Sequence, residues 1–240
     1  MVSISIFIPY EAFADTLIKL QHFKPAARVS GFETPELTDT IFVWLGTGRA
    51  RIDLTPDNST IYRAEGDQTT DIFWKMEIYT PKEVTTQSPT ESGSSAAVDL
   101  SAGMAELSPQ IVSTVTETEQ RRTISGYNCQ LWLQRDSMPQ MELSLVTEVW
   151  ATEDISADRD LYYRIIEAPV QKAGLEQSFA EHRKVRGMPV LSTMVATTDS
   201  TGLFNQLIGT SFKLISCEEV DVEPGHYEVP RNFERFPNDE

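Results

Sequence analysis

Thr40-Ile-Phe-Val-Trp-Leu45, then Gly46-Thr-Gly48, then Arg49-Ala-Arg-Ile-Asp-Leu54 running into Thr55-Pro-Asp-Asn58, is the stretch that decides the fold class. Two short runs rich in β-branched and aromatic residues flank a pair of glycines and stop at a cluster of Thr, Pro, Asp and Asn. Consecutive antiparallel strands joined by tight turns are written in this way. Residues 59–65 and 71–80 extend the meander. In the second of these, Ile72, Trp74, Met76 and Ile78 share one face in strict alternation, the period of a strand.

Beyond the meander, residues 84–109 change character. Thr85-Thr-Gln-Ser-Pro-Thr-Glu-Ser-Gly-Ser-Ser95 is poor in apolar residues and reads as a flexible loop, with a short helix over residues 96–107. The segment is an insertion rather than a domain boundary, because strands of the same kind resume at residues 111–118, 121–127, 129–134 and 141–151. In the last, Met141, Leu143, Leu145, Thr147 and Val149 alternate with Glu142, Ser144 and Glu148, as in a half-buried antiparallel strand. Residues 156–168 read as a helix, with Ser156 as N-cap, Asp158 and Asp160 in the first turn, and a stripe of Leu161, Ile165 and Ala168. Pro169 ends or restarts it, and a second helix runs to Arg183. Strands over residues 190–197 and 209–222 finish the sheet. The expectation is one mainly β domain with a few helices, an α+β fold over residues 15–240.

Of the 240 residues 40% are hydrophobic, so a sizeable core is available. The 36 acidic against 20 basic residues, a formal charge of -16, argue against nucleic acid and against docking on anionic lipid through a basic patch. The N-terminal Val2-Ser-Ile-Ser-Ile-Phe-Ile-Pro9 is apolar and leads to Ala12-Phe13-Ala14, an A-x-A signature. Residues 1–14 therefore read as the remnant of a signal peptide cleaved before Asp15, which implies a periplasmic or secreted protein. The other reading is a first core strand with a chance A-x-A. No other stretch approaches the ~18 apolar residues of a membrane span. Cys129 and Cys217 belong to no metal-binding or C-x-x-C pattern. In an oxidising compartment they can form a disulfide. Two buried, reduced thiols are the alternative.

Catalytic signatures are lacking. His22, His182 and His226 are isolated, and no metal-ligand spacing, G-x-S-x-G elbow, phosphate-binding glycine loop or calcium loop is present. Cys129 with His182 or His226 is the one nucleophile pairing worth testing. Arg49-x-Arg51-x-Asp53 projects from one strand face, where it either grips an acidic ligand group or forms an ion pair. No enzyme activity, metal or cofactor is expected.

Several segments together resemble a known family. Gly48-Arg-Ala-Arg-Ile-Asp53 with Ile61-Tyr-Arg63, Ile124-Ser-Gly-Tyr-Asn-Cys129, Val149-Trp-Ala-Thr-Glu-Asp-Ile155 and Gly187-Met-Pro-Val190 resemble, in order, the motifs of exported bacterial proteins catalogued as domain of unknown function 4412, and Gly225-His-Tyr-Glu-Val-Pro-Arg-Asn-Phe233 resembles that family's closing element with its order altered. That family is similar in fold to the periplasmic lipoprotein carriers LolA and LolB. The resemblance implies a half-open barrel, a curved antiparallel sheet wrapped over helices with an apolar concavity. It implies no catalytic residue.

Bulky side chains fall on both faces of the expected sheet. Trp74 lies with Ile72 and Met76, Trp44 sits between Val43 and Leu45, and Trp132 and Trp150 lie opposite the more aliphatic faces of their strands. One face can pack on the helices near residues 158–183. The other needs a ligand or partner, or a cover such as a helix or the 84–109 segment. Trp44, Arg51, Tyr62, Trp74, Trp132 and Trp150 are the expected ligand contacts. The expected function is a cell-envelope binding or carrier module for a lipid, an acylated protein or another apolar ligand. The alternative is a structural or interaction protein whose core is filled by its own side chains.

Overall fold

A computed structural model of the chain describes residues 14–29, 32–83, 111–168, 175–198 and 208–236. The apolar N-terminal run and the 84–109 insertion lie outside the described residues. The long strands are β1 (Asp15–Lys24), β4 (Leu37–Gly46), β5 (Arg49–Thr55), β6 (Asn58–Arg63), β7 (Gln68–Phe73), β8 (Ile78–Glu83), β9 (Val112–Ile124), β10 (Tyr127–Met138), β11 (Leu143–Thr152), β12 (Met188–Thr198) and β13 (Ser211–Val220). With the two-residue β14 (Glu234–Arg235) they form one twelve-stranded sheet in the order β14-β8-β7-β6-β5-β4-β1-β13-β12-β11-β10-β9. β2 (Ala27–Val29) and β3 (Phe32–Thr34) make a separate hairpin. Every pairing in the large sheet is antiparallel except β14 on β8.

The opening meander takes the register its alternation demands. Val43 faces Ile52 and Leu45 faces Ala50 on one side, all four buried, while Phe42 faces Asp53 and Trp44 faces Arg51 on the other. The first of these sides is called inner here, because helix α1 (Arg159–Glu167) packs on β4, β5 and β6 through Leu161, Tyr162, Tyr163 and Ile165. Helix α2 (Glu176–His182) packs on β9 and β10. The sheet also curls. Two strands separate β10 from β13, about 14 Å in a flat sheet at ~4.7–4.9 Å per strand. Yet Ser125, in the β9–β10 turn, donates its hydroxyl to the Leu214 carbonyl of β13 at 3.3 Å.

Four details differ from the sequence reading. β1 is a central strand, between β4 and β13, where the sequence had shown only the start of a processed chain. The alternation through Trp74 and Met76 is not one strand: β7 stops at Phe73, a 3₁₀ turn spans Trp74–Met76, and Glu77 at φ 53° reverses the chain into β8. Met76 is accordingly exposed. The two strands expected over residues 111–127 are one, β9, whose charged Glu117, Glu119, Arg121 and Arg122 suit a sheet edge that must not recruit another strand. Its true turn is Ser125-Gly126, both at positive φ, as a two-residue hairpin requires. Finally, the helix cap is Asp158 rather than Ser156, its carboxylate accepting from the Leu161 amide at 2.9 Å.

Candidate functional site

The outer face of β4–β8 is where three of the six expected ligand residues lie, and it is occupied. Residues 221–236 run across it, so that Val222, Tyr227, Val229 and Phe233 pack with Ile61, Ile72, Trp44 and Trp74. Arg51 sits at the centre. It holds Asp53 through Nε at 2.7 Å and Nη2 at 3.1 Å, donates Nη1 to the His226 carbonyl at 3.0 Å, and lies over the rings of Trp44 and Trp74. Arg63 donates to the Tyr227 carbonyl at 2.8 Å. The buried Tyr227 donates its hydroxyl to Asp15 Oδ2 at 2.8 Å, with the Arg49 guanidinium 4.6 Å from the ring centre. Trp74 donates to Ser59 Oγ at 2.7 Å and meets Phe233 edge-on. Trp44, Arg51 and Trp74 therefore hold the chain's own C-terminal segment, and Arg51 and Asp53 form the ion pair rather than an open anion site. Among the described residues the cover on this face is this segment rather than a helix.

The other three expected contacts are dispersed. Tyr62 is buried in the main core and donates to Asp67 Oδ1 at 2.8 Å, which also accepts from Arg164 of α1. Burial first, then that donation, raises its pKa. Trp150 is in the same core with Arg122 3.9 Å above its ring. Trp132 packs with Val149, Ala151 and Val185, beneath Arg186. The expected disulfide is not formed: Cys129 on β10 and Cys217 on β13 are both free thiols, packed as small apolar groups in the main core. β11 and β12 lie between their strands in the sheet order. Burial pushes both thiols up. Cys129 donates weakly to the Tyr127 carbonyl and is paired with neither histidine: His182 bonds Gln134, and His226 packs edge-on against Trp44.

A cavity of about 470 Å³ opens instead on the inner face, between the sheet and both helices. Its size is that of small-molecule sites, roughly 300–1,000 Å³. Leu20, Ile41 and Ile52 supply the sheet wall, Tyr162 and Phe179 the helical wall, and Phe212 lies half-exposed at its edge, stacked on His22 at 4.7 Å. The polar groups converge at one end. Gln134 Oε1 meets His182 Nδ1 at 2.5 Å, and its amide nitrogen donates to Asp136 at 3.2 Å and to Ser178 Oγ at 2.8 Å. Because the amide points its oxygen at His182, Nδ1 carries the proton and Nε2 is left as an acceptor. Burial holds the His182 pKa down, to about 4, so the ring is neutral at neutral pH. Glu167, fully buried on the same wall, is neutralised by Arg183, which donates through Nε at 3.0 Å and through Nη2.

None of the six expected ligand residues lines this cavity. The sequence marked its walls only as helix stripe and inner-face aliphatics. A warning was available in Gln134 and His182, polar residues on elements otherwise read as core. A second pocket of about 290 Å³, near Cys129 and Trp132, is lined largely by charges including Glu117, Arg121, Asp154 and Arg186. Among the described residues no helix is long and apolar enough to cross a membrane.

Compared with models of known protein families and with curated proteins, the chain matches none.

Proposed function

We propose that the protein is a binding or carrier module for an apolar ligand, held between the inner face of the sheet and the two helices. The observation that carries this reading is the apolar cavity of about 470 Å³ beside Tyr162, Phe179 and Phe212. A core filled by its own side chains leaves few voids larger than a water molecule. The sheet-over-helices arrangement supports the LolA-like half-barrel that the motifs imply, and with it a lipid or acyl chain as the ligand. Each buried CH₂ of such a chain contributes about 0.8 kcal/mol. Export, with cleavage after Ala14, belongs to the same reading.

The test is titration of delipidated protein with a neutral naphthylamine fluorophore whose emission rises in apolar surroundings. Saturable micromolar binding is expected, abolished by Ile166→Trp, which fills the cavity from α1, and unchanged by Trp74→Phe on the outer face. Folded protein that binds no probe, or that binds it equally after the cavity is filled, would leave only the structural or interaction role.

A further inference from the structure

We infer that the cavity selects apolar ligands with a neutral, hydrogen-bond-donating or cationic head and rejects free carboxylates, a selectivity that rests on the apolar-ligand reading above. The ionisable side chains on the cavity wall, among the described residues, are Asp136, Glu167 and His182, with the two tyrosines, and no Lys or Arg lines it. Arg183 cancels Glu167 from behind. His182 is held neutral by its burial. Among the described residues the partner of Asp136 is the Gln134 amide, which satisfies hydrogen bonds but adds no positive charge. Among the described residues the polar end therefore carries one uncompensated negative charge, next to apolar walls that strengthen its field.

Hydrogen-bond polarity points the same way. Gln134 fixes the His182 tautomer, so Nε2 offers a lone pair. The Gln134 amide hydrogens are already spent on Asp136 and Ser178. A hydroxyl, amide or ammonium head finds acceptors in His182 Nε2 and Asp136. A carboxylate placed there meets a lone pair and a like charge, and loses its water without a cationic partner. A carboxylate head is held best by the opposite arrangement, a guanidinium or ammonium that can pair with it.

The experiment compares three probes of one chain length, lauric acid, lauryl alcohol and lauryl amine, at pH 7.5 and below their micelle concentrations. Each is read by displacement of the naphthylamine fluorophore. The alcohol and the amine should bind at least tenfold more tightly than the acid, and Asp136→Asn should narrow the gap by raising affinity for the acid and lowering it for the amine. An acid that binds as well as the other two overturns the selectivity while the apolar site stands. Failure of all three to displace a bound fluorophore also overturns the selectivity, and failure of the fluorophore itself to bind overturns both. The wild-type series decides the matter even where D136N does not fold.

Discussion

Tyr227→Phe isolates the fastening of the C-terminal segment. The hydroxyl sits 2.8 Å from Asp15 Oδ2, both residues are buried, and 212 positions of chain separate them. A hydrogen bond to a charged group contributes roughly 1.5–3 kcal/mol. The phenyl ring keeps its packing against Ile61 and Ile72 and its place under Arg49, so little else is lost. A loss near 2 kcal/mol is expected, and for a chain of this length that lowers Tm by about 4–8 °C. Asp15→Asn removes the carboxylate from the other side. In a double-mutant cycle read by urea unfolding, the pair should show a coupling energy of about 1.5 kcal/mol or more. Independent sites add to within about 0.3–0.5 kcal/mol. A coupling inside that margin would mean that the segment is held by its apolar contacts alone, and the reasoning from this hydrogen bond would be wrong.

Two further outcomes follow from single residues. His182 has its pKa lowered from 6.5 to about 4 by burial, so the unfolded chain takes up its proton first as pH falls. The stabilisation is complete above pH 6.5 and is lost between there and pH 4, about 2–3 kcal/mol between pH 7.5 and 4.5. His182→Gln should flatten that part of the urea-stability profile, and an unchanged slope would refute the assignment. Gly187 has φ +83°, and a Cβ there would stand 2.2 Å from the Thr152 carbonyl oxygen. Gly187→Ala should therefore cost more than about 3 kcal/mol, through strain added to a backbone clash. A Tm within 2 °C of the wild type, by calorimetry, would contradict it.

The parts of the fold that sequence disclosed were those where neighbours in the chain are neighbours in the sheet. β4 to β7 pair with their successors, so alternation such as Ile41, Val43, Leu45 against Phe42, Trp44 carried over directly into inner and outer faces. β1 was missed for the converse reason. Its Ile18 and Leu20 are buried against strands β4 and β13, and the second partner lies nearly two hundred residues away. Ile72, Trp74, Met76 and Ile78 misled because apolar spacing does not record the positive φ at Glu77. The site was misplaced by a sound argument with an unseen term. Both faces of the sheet do carry bulky groups, but residues 221–236 have no period to announce them. They act through separate anchors, Tyr227 and Phe233 above all, and so the outer tryptophans are covered from within the chain. The inner cavity depends on where α1 and α2 stand relative to the sheet, which no local pattern encodes.

The sheet is not equally strong across its width. β1 runs beside β13 from Asp15 to Phe23, whereas among the described residues β12 meets β13 where 191–193 lie against 211–213, with Met194 bonded to the Thr210 carbonyl and the Gly209 amide just beyond. Ser192 and Phe212, paired with each other in that short join, also stand on the cavity wall. Among the described residues this is the shortest paired register between any two of the long strands. The molecule is in mechanical terms two plates sharing a short hinge, and the hinge is part of the cavity. Amide exchange should show it: protons of residues 191–193 leave sooner than those of residues 16–20, which are locked between β4 and β13. A ligand bridging Phe212 and the helices would then act as a splint, slowing that exchange while leaving the rest of the sheet as it was.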